Sequence, residues 1–139
     1  MIDPLDMLLG EIRDNSAVAA LTTRIRGGEP APGDAASPFL RFVVLVRLGS
    51  TREKRAPVQE VRIGVRCYGT SYADAAALYG AVSDAIHNVG PRIGATGVLL
   101  HRSFDDAGMG AQTDPDTGQP HEDGVISLFA ATHVVAAAI

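Results

Sequence analysis

At 139 residues, with 46% hydrophobic and 20% charged residues, the chain has the size and composition of one ordinary globular domain. It is too apolar for a disordered segment, and no apolar run approaches the ~18 residues that a membrane-spanning helix needs. A net charge of -4 argues against a general nucleic-acid binder, and a single cysteine, Cys67, rules out an internal disulfide.

The first residues, MIDPLDMLLG, carry acids where a signal peptide carries bases, so the reading is a chain that is not secreted. Asp3 before Pro4 reads as an N-cap followed by proline at the first helical position. Leu5, Leu8, Leu9 and Ile12 recur at helical spacing and predict a helix to about Asn15. Ser16 is placed to cap a short second helix, AVAALTT, and Arg24 to Arg26 fit a brief strand. The next stretch, GGEPAPGDAASP, has no periodicity and reads as a loop over about 27–38.

Phe39 to Leu48 is a nearly continuous apolar strand, with both faces covered or one face against a partner. A polar connection over about 49–57 leads to Val58 to Tyr68. There Val61, Ile63, Val65 and Cys67 alternate with Arg62, Gly64, Arg66 and Tyr68, and the two strands read as an antiparallel hairpin with an extended tip. Gly69 and Thr70 break the strand. Ser71, with Asp74 three residues on, resembles a capping box, and Ala75, Leu78, Val82, Ala85, Ile86 and Val89 form one apolar helical stripe for the sheet to receive. Gly90-Pro91 stops that helix. Gly97 to Phe104 and Val125 to Val135 read as two further strands. The acidic, glycine-rich segment between them, about 105–124, reads as a long hairpin loop with a tight turn at Asp114 to Gly118. The expected fold is α+β: one domain over 1–139, a mostly antiparallel four- to five-stranded sheet, and helices packed on one face.

Chemistry is sparse. His87, His101, His121 and His133 lack the short spacings of metal sites, although His101 and His133 lie on strands that can pair. Asp114, Asp116 and Gly118 faintly resemble a calcium loop, but Val125 stands where a bidentate glutamate is needed. There is no nucleophile elbow and no phosphate loop. Cys67, inside a strand pattern, reads as a buried inert thiol. No catalytic, cofactor-binding or metal-binding residue is predicted, and the chain is read as no enzyme and as using no cofactor.

The ordered set VRIGVRCYGTSYADAAALYGAVSDAI, DPLDMLLGEIRDNSAVAAL, PFLRFVVLV and DPDTG resembles the phage tail terminator and tail completion family over most of the chain. The resemblance implies a six-fold ring at the head-proximal end of a phage tail, assembled in the host cytoplasm and located in the virion at the tail-neck junction. Such a ring halts tail-tube polymerisation. Its partners would be further copies of itself, the tail-tube protein and a head-completion, stopper or adaptor protein. DNA would only pass through the lumen, and no membrane is involved. Two alternatives are another neck component, such as a head-closure or adaptor protein, and a small-molecule-binding α+β dimer.

A closed ring needs one patch to meet a different patch on the neighbour. The chain has an asymmetry that fits: seven bases against Glu53 and Glu60 between Arg41 and Arg66, and six acids with no base between Asp105 and Asp123. The candidate interface residues are therefore Arg41, Arg47, Arg52, Lys54, Arg55, Arg62, Arg66 and Tyr68 on the basic side, with Asp105, Asp106, Asp114 and Asp116 on the acidic side.

Overall fold

The computed structural model describes residues 5–28, 39–52, 58–87, 92–93 and 98–132. The elements are α1 (Leu5–Asp14), α2 (Ser16–Ala19), β1 (Ile25–Gly27), β2 (Phe42–Arg52), β3 (Val58–Tyr68), α3 (Tyr72–Ile86), β4 (Arg92–Ile93), β5 (Val98–Thr113) and β6 (Pro120–Thr132). They form an α+β fold around one six-stranded sheet of order β1-β2-β3-β6-β5-β4. The sheet has more strands than the expected four or five, and it is mixed, because β1 runs parallel to β2 while every other pair is antiparallel. A parallel neighbour needs a crossover of a dozen or more residues. The unpatterned stretch before β2 supplies that length. Its central part, 29–38, lies outside the described residues, as do Asp3-Pro4, Gly90-Pro91 and His133.

The apolar patterns go where they were expected. Leu8, Leu9 and Ile12 of α1 and Leu78, Val82 and Ile86 of α3 pack with Val43, Leu45, Val61, Ile63, Val65, Cys67, Ile126 and Leu128, all on one face of the sheet. Each buried aliphatic side chain contributes about 1.5–3 kcal/mol relative to exposure, so this layer carries most of the stability. The helices start and stop for local reasons. Asn15, rather than Ser16, caps α2: its Oδ1 accepts from the backbone N–H of Ala17 and Val18. Ser71 caps α3, its Oγ accepting from the Asp74 N–H at 3.1 Å. Gly69 lets the strand run straight into that helix, since a Cβ there would lie 2.4 Å from the Ala75 backbone nitrogen.

The largest departure is in the second half. The segment expected as a loop over 105–124 is mostly strand: β5 continues to Thr113 and β6 begins at Pro120, paired residue by residue. Only 114–119 turns. Glycine and aspartate are poor strand formers, and three register shifts in β5, at Leu100/Arg102, Asp105/Ala107 and Gly108/Gly110, break the alternation a sequence reader relies on. The tight turn itself is where it was expected. Asp114 Oδ1 accepts from the N–H groups of Asp116 and Thr117, and Gly118 closes the turn at φ 75. The connection expected over 49–57 is also shorter than read, because residues 49–52 belong to β2.

Candidate assembly surfaces

The described helices occupy one face of the sheet, so the other face is where side chains meet something else. The register lays that face out in rows across β2, β3, β6 and β5: Phe42–Tyr68–His121–Gln112, then Val44–Arg66–Asp123–Gly110, then Val46–Gly64–Val125–Ala107. The first row is an aromatic stack. The Phe42 and Tyr68 rings lie 4.2 Å apart and nearly parallel, and His121 sits 4.9 Å from Tyr68. The second row is polar. His121 Nδ1 lies 2.5 Å from Asp123 Oδ1, and Arg66 Nε lies 3.6 Å from Asp123 Oδ2. His121 and Asp123 are both buried, whereas the Arg66 side chain is 54% exposed. Hydrogen bonding to Tyr68, and then Asp123, holds the Arg66 guanidinium charged more firmly than usual.

The third row is apolar and open. Gly64 has no side chain, so Leu48 lies over it, with the position of a Gly64 Cβ only 3.3 Å from Leu48 Cδ2. Leu48 is 57% exposed and Val46 37%. Together with Val125 and the Arg66–Asp123 pair they line a groove of about 350 Å³. Neither Leu48 nor Asp123 was among the candidate interface residues. Leu48 belongs to the irregularity between Arg47 and Gly49, and Asp123 lies in the stretch misread as loop. Once β6 is placed opposite β3, the pairing of Arg66 with Asp123 is the signal that would have found this row.

The candidate interface residues separate into groups. Arg41 turns inward to the chain: its Nε donates to both carboxylate oxygens of Asp74 at 2.9 Å. Thr70 donates to the same carboxylate through both N–H and Oγ1. The Asp74 pKa is thus lowered from its ordinary value, first by Arg41 and then by Thr70. It is a hub between the entry to β2 and the start of α3: its N–H meets the Ser71 cap as the capping-box pattern suggested, while its carboxylate accepts from the Thr70 N–H. Asp105 lies on β5, not on a loop, and accepts from Tyr79 Oη at 2.7 Å and Ser83 Oγ at 2.6 Å, fastening α3 to the sheet. Burial, then Asp105, pushes the Tyr79 hydroxyl pKa well up. Asp114 closes the β5–β6 turn, and Asp116 is exposed on it. Tyr68 was expected to face outward and is buried under its own stack. Arg62 and Arg66 are exposed on the helix-free face, Arg47 is half-buried, Arg52 ends β2 and Asp106 lies on β5. Lys54 and Arg55 lie outside the described residues.

Among the described residues, no cluster of three or more histidine, cysteine, aspartate or glutamate side chains is arranged to hold a metal ion. Burial, then Asp123 and Glu122, raises the Cys67 thiol far above its usual value, which leaves it an un-ionised core residue. No described helix is long and apolar enough to cross a membrane.

The geometry defines a small α+β sheet protein with one clothed and one partly open face. Comparison with known proteins gives a likeness of fold. The chain matches one chain of a solved structure titled "Virion of native gene transfer agent (GTA) particle" with a TM-score of 0.65 and 20% identity, over 89% of this chain and 91% of that one. No protein-family model matches, and no curated protein does.

Proposed function

We propose that the chain is a structural subunit of a phage-like virion, assembling as a six-fold ring that ends tail-tube polymerisation and joins the tail to the head-completion proteins. The observation that carries this reading is the shared fold with a gene transfer agent virion chain over nearly the full length of both. An ordered run of tail-terminator-like segments in the sequence points the same way. The open face adds physical support: exposed Leu48 and Val46 beside Arg62 and Arg66 make a mixed apolar and basic surface of the kind that protein contacts cover. On this reading the chain is no enzyme and needs no cofactor, and its chemistry is shape and contact.

The experiment is deletion of the gene in the producing phage or particle, followed by electron microscopy of the tails. Loss of a terminator removes the stop signal, so tails of uncontrolled length without heads are expected. Tails of normal length that merely lack heads would refute termination and favour a head-closure or adaptor role. Co-purification with tube protein rather than portal makes the same distinction biochemically.

A further inference from the structure

Among the described residues, the two long edges of the sheet are half covered, and in a complementary way. β1 pairs with β2 only at Val43 to Leu45, with Gly28 N–H adding one bond to the Leu45 carbonyl. Beyond that point, no described strand pairs with the outer edge of β2 up to Arg52. On the other side, β4 pairs with β5 only at Leu99 and Leu100, and His87 Nδ1 accepts from the Asp105 N–H. From Asp106 to Thr113, no described strand pairs with the outer edge of β5. Among the described residues, each edge therefore presents a stretch of main chain with backbone groups to satisfy, which is the usual template for adding a strand from another chain.

We propose that these edges pair between neighbouring copies, with residues 46–52 of β2 in one subunit against residues 106–113 of β5 in the next, so that the sheet runs unbroken around the assembly. The inference rests on the ring reading and specifies its junction. The strand directions fit. β2, β3, β6 and β5 alternate in direction, so in a ring of identically oriented copies β2 meets the neighbour's β5 antiparallel. The contact is also heterologous, as closure of a ring requires.

The stagger fits as well. The middle of the free β2 stretch, Gly49, lies level with Arg62, and the middle of the free β5 stretch, Gly110, lies level with Arg66 through Asp123. The two free edges are therefore offset by about four residues, roughly 13 Å along the strands. Spread over the four long strands of each copy, that is about one residue of shear per strand, the ratio that tilts barrel strands by roughly 36°. Charge is complementary too, since 46–52 contains Arg47 and Arg52, and 106–113 contains Asp106 and neither base nor proline. The bulges at Asp105/Ala107 and Gly108/Gly110 increase local twist, as is common at barrel rims.

The test places cysteines at two exposed edge positions, Leu48→Cys and Gln112→Cys, and treats the assembled protein with a short bismaleimide. Assembly is scored independently by light scattering and microscopy, both for the free protein and for protein bound to tail tubes. The doubly substituted protein should give a ladder of cross-linked multimers, while each single variant stays monomeric because native Cys67 is buried. Hydrogen exchange should slow at 46–52 and 106–113 on assembly. Assembly with no ladder and unchanged exchange at both segments overturns the junction and leaves the ring reading standing. Cross-linked dimers from Leu48→Cys alone overturn it in favour of a symmetric β2–β2 contact. Absence of any assembly refutes the ring and the junction together.

Discussion

Gly69→Ala is a one-methyl change with a large expected effect. The added Cβ would lie 2.4 Å from the Ala75 nitrogen, 2.8 Å from its Cα and 2.9 Å from the Asp74 carbonyl carbon. All three are backbone atoms in the first turn of α3, so no side chain can swing aside. Either the helix start moves or the strand end does. Moving the helix displaces Asp74 N–H from the Ser71 cap and the Asp74 carboxylate from Arg41 and Thr70. Moving the strand breaks the Gly69 N–H bond to the Pro120 carbonyl and the bond from Gln119 Nε2 to the Gly69 carbonyl.

Overpacking of this kind costs about 1–3 kcal/mol, and a lost cap about 1 kcal/mol. The total is about 2–4 kcal/mol, against a whole-domain stability of about 5–15 kcal/mol. For a chain this size that lowers the melting temperature by roughly 8–15 °C. Gly80→Ala is the matched control. Gly80 is exposed in the middle of the same helix, and nothing lies within 4 Å of its would-be Cβ. There the same substitution should stabilise by about 0.5–1 kcal/mol through helix propensity. Both are read by urea and thermal unfolding followed by circular dichroism. A Gly69→Ala protein as stable as the parent would refute the close-approach argument, and a destabilised Gly80→Ala would show that the helix is not packed as described.

Two further outcomes follow from the titrating groups. Asp74 has its pKa lowered from an ordinary 3.8, so its contribution is present above that pH and is lost as pH falls below it. The stability gap between the parent and Asp74→Asn should therefore be widest at neutral pH and narrow as pH falls below 3.8; a gap unchanged by pH would remove the ion-pair explanation. Cys67 has the opposite sign. Its thiol pKa is raised by burial above an ordinary 9.0, so the unfolded chain ionises first and stability declines as pH rises past that value. A thiol reagent should leave the native protein unlabelled and modify it only in unfolding urea; rapid native labelling would contradict the buried assignment.

The parts of the fold legible in the sequence are those where one periodicity decides. Leu5, Leu8, Leu9 and Ile12 in α1, the stripe from Ala75 to Ile86 in α3, and the alternation from Val61 to Cys67 in β3 were all readable, because each buries one face against the same core. What escaped is decided by pairing at a distance. Asp105 to Gly110 carries loop-like residues and two bulges, yet it is strand because β6 lies beside it. The parallel placement of β1 depends on where a crossover returns, which no local pattern encodes. Among the candidate site residues, type and exposure were legible for Arg62, Arg66 and Asp116, and partners were not, since Arg41 finds Asp74 and Arg66 finds Asp123 only after the chain has folded.

Those partners change what the charge asymmetry is for. Read along the chain, a basic half and an acidic half look like two halves of an intermolecular contact. In the folded protein, Arg41 is tied to Asp74, Arg66 leans on Asp123, Asp105 fastens α3, and Asp114 closes a turn. Charges already engaged within one subunit gain little by meeting a neighbour, because an exposed ion pair is worth only about 0.2–1 kcal/mol and salt screens it. Burying Leu48 and Val46 and satisfying the free edges of β2 and β5 offers more per residue, through apolar area and main-chain hydrogen bonds. Assembly driven that way should be nearly insensitive to moderate salt, with charge reversal at Arg62 slowing association more than it weakens the finished assembly.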